Sequence, residues 1–260
     1  MSETALVTGA SSGIGAEFAR YHASRGGNLI VTARRSEQLD ALKTELETAH
    51  GITVHVVALD LAAPGGAQQL YDAARATGED IAILINNAGF GGHGAFVDRD
   101  LEADLAMIDL NVKALVGLTH LFARDMVARG SGRILNVSST ASYMPGPLQA
   151  TYFATKAFVS SFSQALDQEL RPKGVTVTAL EPGYVETEFA ARADLDGTDL
   201  VKGGGATPAS VARFGYQAMR RGELRAVNDG KLRFLTSWVI PLLPRRWVLR
   251  LAERLQTKAS

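Results

Sequence analysis

The order of apolar segments is the feature that most restricts how this chain of 260 residues folds. Short runs rich in Val, Ile and Leu alternate with longer segments of helical period. The runs are apolar on both faces, as are strands buried inside a parallel sheet. The expected strands are residues 4–8, 28–33, 53–59, 81–86, 132–138 and 175–180, and the expected helices lie near residues 13–26, 36–50, 65–77, 98–129 and 150–171.

This alternation predicts an α/β fold, a doubly wound parallel sheet in three layers with helices on both faces. Right-handed crossovers then bring the carboxyl end of every strand to one edge of the sheet, where ligands bind. The chain contains no internal repeat and no linker, so a single domain over residues 1–260 is expected. Within it we expect a substrate flap at 184–206 and a C-terminal helical extension at 231–260.

Composition excludes several classes of function. Lys plus Arg and Asp plus Glu both total 27, and this balance gives no electrostatic reason to expect nucleic acid as a partner. Cysteine is absent, which excludes disulfides and thiolate chemistry. The five histidines are scattered, so no metal site is expected. The N-terminal residues enter a strand pattern directly and do not resemble a signal peptide, so a cytoplasmic location is expected.

The first expected strand ends in a glycine-rich turn, TGASSGIG, at residues 8–15. Gly9, Gly13 and Gly15 allow a tight turn and the close approach of a phosphate to the next helix. The same turn matches the G-x-S-x-G elbow of serine hydrolases, with Ser11 as nucleophile. That alternative is disfavoured because a hydrolase needs earlier strands and a later acid–histidine pair; His93 and His120 follow, but no such pair does.

Two arginines, Arg34 and Arg35, follow the second expected strand. At this place an acidic side chain binds the ribose hydroxyls of NAD, whereas arginine accommodates the 2′-phosphate of NADP. The nearest acid, Glu37, belongs to the following helix. Although two arginines can simply be solvated in a loop, their position favours NADP(H) as the cofactor.

Tyr152 and Lys156 are four residues apart in an expected helix, so they lie on one face of it. Ser138 and Ser139 follow the fifth strand, at the edge where a substrate is expected. With these residues the chain resembles the short-chain dehydrogenase/reductase family, over roughly residues 4–190. The resemblance is carried by TGASSGIG, Asp60, NNAG at 86–89, Asn111, Ser139, Tyr152 with Lys156, and PGYVET at 182–187.

The resemblance implies a Rossmann-type fold and an NADP(H)-dependent ketoreductase that interconverts a carbonyl and a secondary alcohol. Tyr152 is then the general acid and base, and work at neutral pH requires its pKa to fall by roughly 3 units from the ordinary value. Lys156 supplies part of that shift, and the positive charge of the oxidised nicotinamide adds to it. Lys156 also binds the nicotinamide ribose. Ser139 binds the substrate carbonyl, and Asn111 helps to hold a water that relays protons.

The resemblance also implies a set of cofactor-binding residues. The pyrophosphate turn, the 2′-phosphate site, the adenosine half and the nicotinamide site follow in chain order. Asn86 and Asn87 have a second explanation, since they could hold strands together, and Pro182 with Gly183 could simply end a strand. The set comprises Gly9, Ser11, Ser12, Gly13, Ile14 and Gly15, then Arg34 and Arg35, Asp60, Asn87, Ala88 and Gly89, Tyr152 and Lys156, and finally Pro182, Gly183 and Thr187.

The substrate is expected to be a small-molecule carbonyl or alcohol, mostly apolar. This follows from the side chains expected near the pocket, and His93 is interpreted as a solvated loop residue. A protein that binds NADPH as a sensor or scaffold, without turnover, is the alternative; such relatives usually lose the tyrosine, lysine or serine that this chain keeps. The apolar pocket residues are Phe90, Met144, Pro145, Tyr184 and Phe189.

Two further segments suggest interaction surfaces. The helix with Phe153, Ala157, Phe158 and Phe162 is apolar on more than one face. In the family this helix packs against its copy, which implies a homodimer or homotetramer.

Residues 232–255 are unusually apolar for the end of a chain. Within them the run from Phe234 to Pro244 is too short to span a bilayer, and Pro241 and Pro244 would break a helix there. Beyond Pro244, one helical face carries apolar residues and another carries Arg246, Arg250 and Arg254. The segment could pack on its own domain or a partner subunit, roof the pocket, or rest on an anionic membrane surface. We expect packing that covers part of the pocket, with peripheral membrane contact as the lesser alternative. The apolar face comprises Trp247, Val248, Leu251 and Leu255.

Overall fold

The computed structural model describes residues 3–258, so the outermost residues of the expected domain and of its C-terminal extension lie outside it. Within that range the strands form one parallel sheet of seven, in the order β3-β2-β1-β4-β5-β6-β7. The predicted doubly wound α/β fold is confirmed. The strands are β1 Thr4–Thr8, β2 Asn28–Ala33, β3 Val54–Ala58, β4 Ile81–Asn86, β5 Gly132–Val137, β6 Val175–Leu180 and β7 Arg225–Ala226.

The strand order reverses at β1, which pairs with β2 on one side and β4 on the other. A crevice opens at such a reversal beyond the carboxyl ends of the strands, and this is where ligands bind to doubly wound sheets. Five of the strands are buried over most of their length because helices cover both faces of the sheet.

One face of the sheet is covered by α1 Gly13–Ala23, α2 Ser36–His50 and α9 Pro208–Arg221, the other by α3 Gly66–Ala76, α5 Leu115–Arg129 and α6 Ala150–Leu170. Phe18 and Met219 are fully buried on the first face, and Leu70 and Met126 on the second. The predicted helix near 13–26 ends earlier, at Ala23, ahead of a turn in which Gly26 has φ +77°.

The predicted helix 98–129 begins at Leu101, where the Asp100 side chain accepts a hydrogen bond from the Glu102 N–H. It comprises α4 Leu101–Ile108, a π turn Asp109–Ala114 and α5. By length and composition Leu101–Arg129 could cross a membrane. In the fold it is a core helix, because Leu118, Phe122 and Met126 are buried against the sheet.

The segment after β6 is more ordered than its composition suggests. Within residues 184–206 it forms two short helices, α7 Phe189–Arg192 and α8 Asp199–Lys202. Ala190, Ala193 and Leu195 form a small apolar cluster between them. This segment therefore has a core of its own beside the carboxyl edge of the sheet.

The C-terminal extension contains α10 Gly230–Phe234, a π turn Leu235–Val239, a 3-10 turn Ile240–Leu242 and α11 Arg245–Gln256. The face of α11 that packs on the protein is not the one expected from the sequence. Val248, Ala252 and Gln256 are buried. Of the expected apolar face only Val248 is covered, and Trp247, Leu251 and Leu255 remain exposed.

Candidate active site

A cavity of about 760 Å³ runs along the carboxyl edge of the sheet. It brings together residues that are far apart in the sequence, as expected for the crevice beside β1. Two of the predicted site residues, Gly15 and Asn111, lie behind the wall instead of on it. The predicted residues on the wall are Gly9, Ser11, Ser12, Gly13, Ile14, Arg34, Arg35, Asp60, Asn87, Ala88, Gly89, Ser139, Tyr152, Lys156, Pro182, Gly183 and Thr187.

The glycine turn after β1 is held against the end of β4. The Thr8 hydroxyl oxygen accepts hydrogen bonds from the backbone N–H groups of Asn87 and Ala88, both at 2.9 Å, and the Asn87 side chain donates to the Thr8 carbonyl at 2.9 Å. Gly9 has φ +68°, and a Cβ there would lie 2.9 Å from the Cα of Ala88. A Cβ on Gly15 would lie 2.3 Å from the Gly9 carbonyl oxygen, so both positions require glycine.

The N-terminus of α1 opens into the cavity and suits an anion. Ser12 is the N-cap, its side chain does not cap the helix, and the first turn contains no acidic residue. The Arg35 guanidinium donates to the hydroxyls of Ser11 and Ser12, at 3.1 and 2.8 Å. Unpaired N–H groups, hydroxyls and a guanidinium together form a site that fits a phosphate.

The two arginines after β2 have different environments. Arg35 is half-buried and lies 3.3 Å from a carboxylate oxygen of Glu188. Arg34 is exposed on the cavity wall and makes no ion pair within residues 3–258. Asp60 is also on this wall, where its carboxylate accepts the Ala62 N–H at 3.0 Å. Arg34 therefore keeps its full charge available to a bound group.

Tyr152 and Lys156 stand one helical turn apart on α6, with the Lys156 Nζ 5.8 Å from the centre of the tyrosine ring. Lys156 is 6% exposed, and its ammonium donates to the Val137 carbonyl at 2.8 Å. Burial lowers the pKa of Lys156 to about 8. Burial also raises the pKa of Tyr152 to about 12, although the nearby Ser139 hydroxyl acts in the opposite direction.

These pKa shifts concern the part of the expected lowering that was assigned to the protein's own groups. The protein groups do not lower the pKa of Tyr152; they raise it, because loss of hydration outweighs the influence of the neighbouring Ser139 hydroxyl. The phenol is consequently protonated at neutral pH. A protonated phenol is the form that donates a proton, which suits the reduction of a carbonyl.

Ser139 begins the 3-10 turn Thr140–Tyr143 after β5 and is partly exposed to the cavity. Its hydroxyl oxygen accepts the Ala141 N–H at 3.1 Å, and its own proton is directed at the Pro182 carbonyl at a long 3.4 Å. The hydrogen bond from Ala141 holds the hydroxyl in place, whereas the hydroxyl proton makes only a long contact with the Pro182 carbonyl. It can therefore donate to a ligand oxygen in the cavity.

Asn111 lies in the π turn and is buried behind Gly89. Its side-chain oxygen accepts the Phe90 N–H at 3.1 Å, and its amide donates to the Phe90 carbonyl at 2.9 Å and to the Thr155 hydroxyl at 3.2 Å. A Cβ on Gly89 would lie 2.9 Å from that side-chain oxygen and 3.6 Å from the Lys156 Nζ. Asn111 thus holds the loop after β4 in place next to Lys156.

The other half of the cavity is apolar. Phe90, Met144, Tyr184 and Phe189 line it as expected, whereas Pro145 is exposed outside it, in the loop before α6. The Phe189 ring lies 5.4 Å from that of Tyr152, centre to centre. The C-terminal extension supplies the remainder of this wall, with Leu232, Leu235, Thr236, Ile240, Leu243, Val248, Leu251, Ala252, Leu255 and Gln256.

His93 is neither a solvated residue nor part of the cavity wall. It is partly buried, and its ring Nε2 lies 2.7 Å from the Gln256 carbonyl oxygen at the end of α11. The Gln256 side chain in turn hydrogen-bonds the buried side chain of Gln149. These contacts fasten α11 over the cavity, and local sequence could not indicate them because the partners lie 107 and 163 residues apart.

Sequence reasoning also missed a buried acid, Glu181, between β6 and Pro182. Its carboxylate is 0% exposed and accepts hydrogen bonds from the hydroxyls of Tyr143 and Ser160. Arg225 in β7 pairs with it at 3.2 Å. The sequence did offer a signal for this cluster, namely an acidic residue at the end of an otherwise apolar strand, because a buried charge requires partners. The cluster fixes the start of the loop that carries Pro182 and Gly183.

The hydrolase alternative lacks its geometry. The Ser11 hydroxyl is hydrogen-bonded by Arg35, whereas the buried histidine His22 pairs with Tyr216 at 2.8 Å. In the described part of the chain, residues 3–258, no cluster of His, Asp and Glu could hold a metal ion.

A doubly wound sheet whose crevice holds a glycine turn, two arginines and a Tyr–Lys pair defines a nucleotide-dependent oxidoreductase. Residues 3–196 match the family described as short chain dehydrogenase. The chain belongs to the short-chain dehydrogenase family, and it is an enzyme that interconverts a carbonyl and an alcohol.

Individual relatives resemble the chain over most of its length. The very-long-chain 3-oxoacyl-CoA reductase of Anas platyrhynchos is 32% identical over 253 residues, which cover 95% of this chain and 78% of that protein. Sulfoacetaldehyde reductase 2 of Chromohalobacter salexigens is 37% identical over 216 residues, covering 82% and 81%. The structure of a short-chain dehydrogenase from Sphingobium yanoikuyae in complex with NADPH has a TM-score of 0.83 at 34% identity, covering 89% of this chain and 90% of that chain.

The buried ammonium makes a prediction about stability. Because the pKa of Lys156 falls from 10.5 to about 8 on folding, the unfolded chain binds more protons between these values. Stability therefore rises with pH through this window. Between pH 7 and pH 10 the free energy of unfolding should rise by about 2.5 kcal/mol relative to Lys156→Met, measured by urea unfolding. Lys173→Met controls for the loss of a surface lysine. A difference between wild type and Lys156→Met that stays constant with pH would contradict the burial of a charge.

Proposed function

We propose that the enzyme is an NADP(H)-dependent ketoreductase whose cofactor lies along the polar half of the cavity. The glycine turn and the open N-terminus of α1 suit a pyrophosphate, and Arg34 and Arg35 suit the extra phosphate of NADP. Asp60 and the backbone from Asn87 to Gly89 line the adenosine half. Pro182, Gly183 and Thr187 border the nicotinamide end. The NADPH complex of the Sphingobium yanoikuyae relative supports this choice of cofactor.

The observation that carries the proposed chemistry is the meeting of Tyr152, Ser139 and Lys156 on one wall of the cavity. Bound NADPH supplies the hydride that reduces the carbonyl carbon. Ser139 donates a hydrogen bond to the carbonyl oxygen and orients it, and the protonated Tyr152 hydroxyl gives that oxygen its proton. Lys156 holds positive charge beside the phenol, which stabilises the phenolate left after proton transfer. Asn111 acts as a positioning residue, since it holds the loop next to Lys156.

We propose a bulky, mostly apolar carbonyl compound as the substrate. Aromatic and aliphatic side chains from the loops after β4 and β5, from residues 184–206 and from the C-terminal extension surround the second half of the cavity. The relative from Anas platyrhynchos is named for very-long-chain 3-oxoacyl-CoA, which is consistent with such a pocket. Residues 184–206 are proposed to close over the substrate, because Tyr184, Phe189 and Leu200 reach the cavity from this segment.

Binding of NADPH without turnover is the second candidate function. It requires a chain in which one of the reacting groups is missing or displaced from the cofactor site. Tyr152, Lys156 and Ser139 all lie on the cavity wall, which favours an active enzyme.

We propose a homodimer or homotetramer in the cytoplasm. On α6, Phe158 is 41% exposed and its ring stacks on that of Phe162, 5.6 Å away. On the neighbouring α4, Leu101 and Leu105 are also exposed. An apolar surface of this kind on two adjacent helices is suited to packing against a second copy.

Replacing Tyr152 tests the chemistry. Tyr152→Phe should lower NADPH-dependent reduction of apolar ketones at least about 100-fold, because general acid catalysis is lost. The dissociation constant for NADPH should remain close to that of wild type. Tyr71→Phe, on α3 and outside the cavity, is the matched control and should keep wild-type activity. A Tyr152→Phe enzyme with a large fraction of wild-type kcat would exclude the phenol as proton donor.

Replacing Arg34 tests the cofactor. Wild type should bind NADPH at least tenfold more tightly than NADH, because a hydrogen bond between charged groups contributes about 1.5–3 kcal/mol. Arg34→Asp should reverse this order, measured by equilibrium titration of cofactor fluorescence without substrate. Arg124→Asp makes the same change of charge on α5 and should leave both dissociation constants unchanged. Equal affinity of wild type for the two cofactors would overturn the NADP(H) assignment.

Light scattering tests the assembly. Wild type at micromolar concentration should have the mass of two or four chains, and Leu105→Glu with Phe158→Glu should give monomers, because like charges would face each other across the helices. A wild-type monomer under these conditions would refute the proposed oligomer.

A further inference from the structure

The C-terminal extension leaves a set of large apolar side chains uncovered. Trp238 is 69% exposed, Leu242 83% and Trp247 64%. Phe234, Leu235, Leu251 and Leu255 are exposed beside them in the same segment. Single exposed apolar residues are ordinary. So many large exposed apolar side chains within residues 230–258 mark a surface that contacts another apolar phase or molecule.

The side chains around α11 form three rows along the helix: one buried, one apolar and exposed, and one basic. Successive residues are 100° apart around a helix, so residues four apart form rows. One row is buried under the helix, with Val248, Ala252 and Gln256. The adjacent row is apolar and exposed, with Trp247, Leu251 and Leu255. The next row along the circumference is basic, with Arg246, Arg250 and Arg254.

Charge distinguishes this segment from the remainder of the protein. Residues 230–258 contain seven lysines and arginines and one acidic residue, Glu253, whereas the whole chain has 27 basic and 27 acidic residues, so the other residues carry an excess of acidic side chains. Within residues 3–258, the ion pair that this segment makes joins Lys258 to Asp194. The basic row of α11 is exposed and faces solvent. An exposed apolar row bordered by unpaired arginines matches the interface of an anionic bilayer, with its apolar interior and negative surface.

The mouth of the cavity lies in the same surface. Leu235, Leu251 and Leu255 line the cavity and are also 44%, 54% and 39% exposed. The apolar wall of the cavity is thus continuous with the exposed apolar row of α11. An apolar molecule in the outer part of a bilayer would meet this row before it met water.

We propose that residues 230–258 form a membrane-docking surface that binds anionic lipid bilayers peripherally. The apolar side chains enter the headgroup region, the arginines contact the lipid phosphates, and the cavity opens toward the bilayer. A second copy of this chain fits the surface less well, because a two-fold interface would bring the basic rows of both copies together. The proposal does not depend on the catalytic roles, since lipid binding is measured without turnover.

The two tryptophans of the chain, Trp238 and Trp247, both lie in the membrane-docking surface and provide a direct probe. Vesicles of phosphatidylglycerol and phosphatidylcholine should shift tryptophan emission of the full chain to shorter wavelength and should co-sediment with it. Vesicles of phosphatidylcholine alone should do neither, because the arginines then lack anionic partners. High salt should weaken the binding to anionic vesicles.

Two double variants with the same change of net charge distinguish binding through the membrane-docking surface from nonspecific attraction between the whole protein and the vesicle. Arg246→Glu with Arg250→Glu should weaken partitioning onto anionic vesicles at least tenfold, since each basic residue near the surface contributes about fivefold. Arg124→Glu with Lys173→Glu, outside the surface, should change it less than twofold. Leu242→Ser tests the apolar contribution and should weaken binding without altering net charge. Unchanged NADPH affinity in all three variants establishes that they are folded.

Three results would overturn the proposal. The first is the absence of an emission shift with anionic vesicles. The second is equal loss of binding in the two charge variants. The third is a blue shift that depends on protein concentration without lipid and disappears in Leu242→Ser, which would assign the surface to a second copy of the chain.

Discussion

The hydrogen bonds that join the end of β1 to the end of β4 are the interaction on which the site depends. Thr8 and Asn87 use side chain and backbone together, so the glycine turn and the loop after β4 form one wall. Strands β1 and β4 are neighbours because the crossovers of the sheet reverse direction between them. The crevice therefore opens where the chain offers backbone N–H groups, and the next two strands bring Ser139 and Pro182 to the same edge.

Burial determines the charge states in this crevice. Lys156 and Tyr152 both lose hydration, and in each case the uncharged form gains, which lowers the pKa of the lysine and raises that of the tyrosine. At neutral pH the lysine is still mostly charged and the phenol is protonated. Tyr152 can therefore donate its proton to the oxygen of a carbonyl that is being reduced. The positive charge of Lys156 then stabilises the phenolate that remains.

The sequence predicted the parts of the structure that depend on local pattern. Six of the seven strands, the glycine turn and the pairing of Tyr152 with Lys156 follow from periodicity and spacing, which the backbone geometry determines. β7 was not predicted, because Arg225–Ala226 is too short to show any alternation. The π turn at Asp109–Ala114 was not predicted either. Within it Asn111 donates hydrogen bonds to Phe90 and Thr155, which are distant in the sequence, so the neighbouring residues give no signal for the turn.

Burial by distant segments could not be predicted from the sequence. Hydrophobicity indicates that a residue is suited to burial, but it does not identify what covers it. In α11 the small residue Ala252 and the polar Gln256 are buried, whereas Trp247 is left exposed. Glu181 shows the same limit, because its partners come from three other elements: the turn after β5, α6 and β7.

The transfer of a label from cofactor to product tests the central claim, that one cavity holds NADPH beside a bulky carbonyl compound. The enzyme is incubated with an apolar ketone and NADPH in which deuterium replaces both hydrogens at the reactive carbon of the nicotinamide, and the alcohol is analysed by mass spectrometry. One deuterium atom on the carbinol carbon of a single enantiomer is the predicted result. An unlabelled alcohol, or NADPH that binds and is never consumed across a range of apolar ketones, would contradict it.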